Sequence, residues 1–108
     1  MKWLDYVIRD WRIMKAIPSL TKANVILDIG CGDGELCRVL AKRGIMGVGI
    51  DTRVNEILEP AGFKFISGLF PDALPNEQLF DAVSILAVLE HIPEGQKFAF
   101  IKACYERL

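Results

Sequence analysis

Cysteine and histidine are scarce in this sequence, and the spacing of the cysteines excludes two classes of site. The 108 residues include three cysteines and one histidine. An odd number of cysteines without a C-x-x-C pair argues against both a disulfide framework and a structural zinc site. We therefore expect a protein of a reducing compartment, the cytoplasm, that holds no metal.

The sequence also lacks an excess of charge of either sign and any long hydrophobic run. Thirteen Lys and Arg residues against fourteen Asp and Glu give a net charge of -1, so no broad positive surface is available for nucleic acid or anionic membranes. Charged residues between Asp5 and Lys15 interrupt the N-terminal apolar runs before they reach the length of a signal peptide or membrane span. We expect neither nucleic acid nor membrane as a partner.

What the chain does have is the apolar content of one folded domain. Hydrophobic residues make up 52% of the sequence and charged residues 25%, and a chain of this length has material for a single core. Near the N-terminus, apolar residues recur at helical spacing until Pro18, which predicts an amphipathic helix within 1–18. The remaining residues, 24–108, are expected to form one α/β core.

Short apolar runs alternate with helical patterns along this core. Helices are predicted after the first strand, around 55–59 and from Glu94 onward. Strands are predicted over the apolar runs 24–29, 45–50, 64–67 and 82–89. The final helix is marked by apolar residues at helical spacing, namely Phe98, Ile101, Cys104 or Tyr105, and Leu108. This alternation predicts a parallel sheet with right-handed crossovers.

Three glycines separate the first strand from its helix and form the most informative motif. Gly30, Gly32 and Gly34 give the spacing G-x-G-x-G, which lets a ligand approach the backbone where no Cβ intervenes. A dinucleotide fingerprint would place another glycine at Glu35, whose carboxylate instead repels a pyrophosphate. Because Asp28 precedes the same loop, the local field favours a ligand that is neutral or cationic at this contact.

An acidic residue ends the second strand. Asp51 follows Gly32 by 19 residues (51 − 32), and a carboxylate in this position can accept both hydrogen bonds of a ribose diol. The loop and the acid together predict a nucleoside site.

These motifs resemble those of class I S-adenosylmethionine-dependent methyltransferases, in particular the small-molecule branch. Four segments carry the resemblance in order: LDIGCGDG at 27–34, GVGID at 47–51, FDAV at 80–83 and VLEHI at 88–92. The resemblance implies a Rossmann-like three-layer α/β sandwich with a parallel sheet of strand order 3-2-1-4, truncated before the fifth to seventh strands. It also implies S-adenosylmethionine as cofactor and methyl transfer to a small-molecule acceptor.

The same resemblance assigns roles to individual residues. Gly30, Cys31, Gly32 and Gly34 would form the cofactor loop, while Asp28 would orient the methionine amino group and Asp51 would hold the ribose. Adenine would lie between Thr52 and Leu69, and the methionine end near Leu86 and Ala87. The sequence departs from the family after Gly68, where Leu69 and Phe70 stand in place of an acidic residue that often contacts the adenine amino group. Asp72 could make this contact instead, but we favour the interpretation that Asp72 is a turn residue.

Two further residues have competing interpretations. His91 is a weak candidate for a general base, since a histidine changes charge near neutral pH; ordering the mouth of the site is the favoured alternative. Asp81 is expected to be structural, at the start of the fourth strand.

Two other functions remain open at this point. The chain could be a non-catalytic nucleoside-binding or self-associating fragment of such an enzyme, because the family fold continues beyond its last helix. A fourth strand at the sheet edge, nearly all apolar over 82–89, would then recruit a second copy as a dimer. A dinucleotide-binding oxidoreductase is the weaker alternative, disfavoured by Glu35.

Overall fold

The computed structural model describes residues 24–53, 59–74, 78–85, 88 and 91–108. In these residues four strands and two helices are formed. The strands are β1 (Val25–Ile29), β2 (Met46–Asp51), β3 (Phe63–Ser67) and β4 (Ala82–Ser84). The helices are α1 (Glu35–Ala41) and α2 (Glu94–Tyr105). The helices predicted within 1–18 and around 55–59 lie outside the described residues.

The four strands form one parallel sheet in the order β3-β2-β1-β4, which confirms the predicted order. In this register Asp28 of β1 lies beside Gly49 of β2 and Ser84 of β4. Because parallel strands end at the same edge, the carboxyl ends of β1 and β2 bring the glycine loop next to Asp51.

Successive residues of β1 pack against opposite faces of the sheet, as the alternation of a strand requires. Ile26 packs in a cluster with Leu36, Cys37 and Leu40 of α1. Leu27 and Ile29 pack in a second cluster, which includes Cys104 of α2 and the loop residues Phe70, Leu74 and Phe80. The sheet is therefore buried on both faces between helices, as the three-layer prediction requires.

Helix α2 forms where the sequence predicted a final helix, but most of the residues that marked it face outward. Phe98 is 82% exposed and Tyr105 76% exposed, and Ile101 and Leu108 are also exposed. The packed face instead includes Phe100, Ala103 and Cys104, and the Phe100 ring meets Phe70 edge to face with centroids 5.7 Å apart. Apolar residues occupy both faces of this helix, so their spacing identified the helix without identifying its buried side.

The predicted fourth strand over 82–89 is wrong in its length. β4 ends at Ser84, and the chain then turns, with the Val88 N–H donating to the Ile85 carbonyl at 3.4 Å and the His91 N–H donating to the Val88 carbonyl at 2.9 Å. A continuous apolar run does not distinguish a buried strand from a buried turn. The sequence pattern therefore overestimated the length of the edge strand.

The prediction that Asp81 is structural is confirmed. Its Oδ2 accepts hydrogen bonds from the backbone N–H groups of Asn24 and Val25, both at 2.9 Å. This carboxylate ties the beginning of β1 to the beginning of β4. No helix in the part of the chain that the structure describes is long and apolar enough to cross a membrane.

Candidate cofactor site

A cleft of about 890 Å³ opens at the carboxyl ends of β1 and β2. Its floor and one side come from the glycine loop and the end of β2, and the other side comes from 68–72 after β3 and from the segment leading into α2. The volume lies near the upper end of the range for small-molecule sites. The strand order reverses between β1 and β4, and parallel α/β folds bind their ligands at such a point.

The glycine loop takes a backbone conformation that other residues rarely adopt. Gly30, Gly32 and Gly34 have φ angles of 74°, 57° and 79°. A Cβ on Gly30 would overlap the Val88 side chain, whereas a Cβ on Gly32 would have no other atom within 4 Å. Both residues line the cleft. Gly30 is required by the close approach of Val88, whereas Gly32 leaves open space where its Cβ would lie.

Gly34 has a different surrounding from the other two glycines. It does not line the cleft, and a Cβ at this position would lie 2.6 Å from the ring of Phe65. Its contribution to the loop is the turn into α1 and the packing against β3.

Backbone hydrogen bonds hold the glycine loop over the end of β2. The N–H groups of Gly30 and Cys31 both donate to the Ile50 carbonyl, at 2.7 and 3.2 Å. The Cys31 side chain packs over Gly49, where a Cβ would lie 3.0 Å from its sulfur. Burial, followed by the charges of Asp28 and Asp51, raises the pKa of the Cys31 thiol to about 12. Cys31 is therefore a protonated packing residue at neutral pH and not a nucleophile.

Asp51 connects the end of β2 to the glycine loop. Its Oδ2 accepts a hydrogen bond from the Gly32 N–H at 3.0 Å, and its Oδ1 accepts one from the Arg53 N–H at 3.0 Å. The side chain is 13% exposed and lines the cleft. A carboxylate has about four acceptor positions, so Asp51 retains capacity for ligand hydroxyl groups while it anchors the loop.

Asp28 forms part of the cleft lining and is buried, with 3% of its surface exposed. Burial raises the pKa of this carboxyl from 3.8 to about 7, while the hydrogen bond from Cys37 and the neighbouring Ser84 hydroxyl lower it and the nearby Asp51 charge raises it again. A cationic group at this position would favour the ionised carboxylate. Asp28 is therefore suited to bind an ammonium group.

The charge of the described lining favours a cationic ligand. The described lining contains one arginine, Arg53, and five acidic residues, namely Asp28, Asp33, Glu35, Asp51 and Asp72. An acidic cleft attracts cations and repels phosphates. This agrees with the expectation from the loop sequence and extends it to the whole cleft.

The sequence analysis missed an apolar wall of the cleft outside the glycine loop. This wall includes Phe70, Val88 and Ile92, together with one face of helix α2. The signal was the helical spacing of that face, which comprises Gln96, Ala99, Phe100 and Ala103. The more hydrophobic outer face of α2 obscured this pattern.

The predicted site residues fall into three groups. Gly34 lies beside the cleft, and Leu86 and Ala87 lie outside the described residues. Those that line the cleft are Asp28, Gly30, Cys31, Gly32, Asp51, Thr52 and Leu69, together with the weak catalytic candidate His91. Leu69 is 70% exposed, and His91 is exposed as well. Among the described residues no group of three or more His, Cys, Asp and Glu side chains could hold a metal ion.

Comparison with known proteins connects this geometry to one family. A family model described as a methyltransferase domain matches residues 2–106. The ubiquinone biosynthesis O-methyltransferase of Vibrio vulnificus is 30% identical over 88 residues, covering 73% of this chain and 37% of that protein. The corresponding enzyme of Pseudomonas entomophila is 34% identical over 89 residues, covering 74% of this chain and 38% of that protein.

A solved structure agrees with these sequence matches. A SAM-dependent methyltransferase from Archaeoglobus fulgidus superposes with a TM-score of 0.73 at 27% identity, covering 94% of this chain and 47% of the other. The chain spans less than half the length of each of these proteins. With its glycine loop, buried aspartate and strand-end aspartate arranged on a 3-2-1-4 sheet, the chain belongs to the methyltransferase domain family.

Proposed function

We propose that this chain is the cofactor-binding part of an S-adenosylmethionine-dependent methyltransferase that acts on a small molecule. The observation that carries the proposal is one cleft that joins Asp28, the glycine loop with open space at Gly32, and Asp51 at neighbouring strand ends. Its acidic lining suits a ligand that carries a sulfonium and an ammonium group.

The residues of the cleft fit the parts of this cofactor. Asp28 would bind the amino group, and the unused acceptor positions of Asp51 would bind the ribose hydroxyls. Thr52 and Leu69 line the cleft where the adenine is expected. When bound, S-adenosylmethionine supplies an activated methyl group, and the protein contributes mainly proximity and orientation.

The acceptor that we propose to test first is a hydroxyl group. The similar proteins from Vibrio vulnificus and Pseudomonas entomophila are named as O-methyltransferases of ubiquinone biosynthesis. His91 at the cleft is the residue to examine for removal of the hydroxyl proton. A His91→Gln variant that keeps its turnover at every pH would assign His91 to ordering the mouth of the cleft instead.

Calorimetric titration with S-adenosylmethionine, S-adenosylhomocysteine and NADH in parallel tests the proposed function. Binding of the first two without NADH supports it. Saturable binding of NADH alone would favour an oxidoreductase, since a dinucleotide fold binds pyrophosphate at this loop. Cofactor binding without methyl transfer to a hydroxyl acceptor would favour a non-catalytic nucleoside-binding module.

A cytoplasmic location and self-association belong to the same proposal. Three cysteines in the free thiol form are consistent with a reducing compartment.

β4 is the edge of the described sheet, and Phe98, Ile101 and Tyr105 are exposed on neighbouring α2, which favours a dimer of two copies. Light scattering should give twice the monomer mass for the wild type, and Ile101→Lys should lower the measured mass to that of one monomer. A monomeric wild type would contradict the dimer.

A further inference from the structure

A small polar cluster lies beneath the cleft, in an otherwise apolar layer. It comprises Asp28 of β1, Ser84 of β4 and Cys37 of α1, which are 3%, 5% and 0% exposed. The strand register places Asp28 and Ser84 side by side. The Cys37 thiol of α1 donates a hydrogen bond to Asp28 Oδ2, with sulfur and oxygen 3.4 Å apart. Three separate elements thus converge on one carboxyl group.

A buried carboxylate needs hydrogen-bond donors to remain oriented and able to ionise. The groups that face Asp28 are Cys37 from α1, Ser84 from β4, Cys31 in the loop and Asp51 at the end of β2. Burial, and then the charge of Asp28, raises the pKa of the Cys37 thiol far above its ordinary value. Cys37 therefore keeps its proton and remains a donor throughout the neutral pH range.

We propose that Cys37 is a positioning residue, which holds the Asp28 carboxylate in place for the amino group of the cofactor. The inference rests on the proposed function, because it assigns Asp28 to a cationic amino group. Cys37 does not line the cleft itself. It acts through the hydrogen bond to Asp28, and its effect is on the pH range in which Asp28 can bind a cation.

The expected direction follows from the protonation of Asp28. Its pKa is raised to about 7, so the carboxyl loses its charge, and its attraction for an ammonium group, as the pH falls through this value. The Cys37 hydrogen bond favours the charged form. Removing the thiol therefore moves the titration of Asp28 to higher pH. Each unit of such a shift beyond pH 7 weakens binding at pH 7 by about fivefold to tenfold.

Three variants test the positioning role. Cys37→Ala removes the donor, and Cys37→Ser keeps a donor of similar size. Cys104→Ala is the matched control, because it removes another buried thiol from the second core cluster, on the face of the sheet opposite Asp28. Two quantities are measured from about pH 5.5 to about pH 8.5: the Asp28 carboxyl ¹³C shift in the ligand-free protein, and the Kd for S-adenosylhomocysteine.

We expect Cys37→Ala to raise the midpoint of both titrations, while Cys37→Ser restores or lowers them and Cys104→Ala leaves them unchanged. A structural defect alone would weaken binding equally at all pH values. Equal midpoints in wild type and in both Cys37 variants would overturn the inference. A wild type that binds S-adenosylhomocysteine at no pH would instead refute the proposed function, and the carboxyl titration would still decide whether Cys37 controls Asp28. If Cys37→Ala does not fold, Cys37→Val replaces it as a variant without a donor, and an unshifted midpoint in Cys37→Val refutes the inference.

Discussion

Replacing Asp51 should affect ligand binding and the glycine loop together. Asp51→Ala removes the acceptor for the Gly32 and Arg53 N–H groups, which both lie at 3.0 Å, and it removes the proposed acceptor for the ribose hydroxyls. A hydrogen bond to a charged group contributes about 1.5–3 kcal/mol. We therefore expect S-adenosylhomocysteine to bind roughly 10- to 150-fold more weakly.

Asp51→Asn separates the two functions of the carboxylate. The amide oxygen can still accept the hydrogen bond from Gly32, but the amide nitrogen is a donor and opposes the Arg53 N–H group or a ribose hydroxyl donor. Its affinity should lie between those of wild type and Asp51→Ala. This ranking distinguishes a requirement for acceptors from a general loss of packing.

Calorimetry at fixed pH and salt measures these affinities, after thermal unfolding has shown that each variant is folded. Glu106→Ala is the matched control, because Glu106 is an exposed acid that does not line the cleft and should change affinity by less than about threefold when it is replaced. A folded Asp51→Ala protein that binds S-adenosylhomocysteine as tightly as wild type would refute the ribose assignment.

Two other predictions concern the cleft floor. Gly30→Ala should weaken cofactor binding at least about tenfold, since an added Cβ meets Val88 and the φ of 74° disfavours any side chain. Gly44→Ala is the control, because Gly44 has a comparable φ of 81° but lies away from the cleft with open space around it. An equal loss of binding in Gly44→Ala would contradict the steric argument. Asp28→Asn should make thermal stability less dependent on pH. In the wild type, the folded protein holds a proton on Asp28 up to about pH 7, while the unfolded chain releases this proton near pH 3.8. Wild-type stability therefore falls as the pH rises between these values. The Tm of Asp28→Asn minus that of wild type should therefore increase from about pH 5 to about pH 8, and a constant difference would show that Asp28 does not titrate in this range.

The parts of the site that could be predicted from sequence are those encoded locally. The strand, the glycines at Gly30 and Gly32 and the following helix occupy consecutive positions, and Asp51 ends the next strand, so the chain itself specifies their order. The strand order came from the resemblance to known methyltransferases and is confirmed.

What could not be predicted depends on packing between distant segments. The length of β4 was overestimated because a turn whose apolar residues pack against the core has the same composition as a buried strand. Phe100 was missed as a wall of the cleft because α2 has an equally apolar outer face. The contact between Cys37 and Asp28 joins a helix to the strand beneath it, and no spacing in the sequence specifies that pair.

Helix α2 has one face in the cleft wall, with Phe100 against Phe70, and an opposite face on which Phe98 and Tyr105 are exposed. A single helix of 12 residues thus links the ligand cleft to an outer surface that is available for contact. An association that moves α2 from outside, and so changes the cleft wall, would change the free energy of ligand binding, and ligand binding would then change that association by the same amount. Measuring association with and without saturating S-adenosylhomocysteine gives this coupling directly, and equal association constants would show that α2 transmits none.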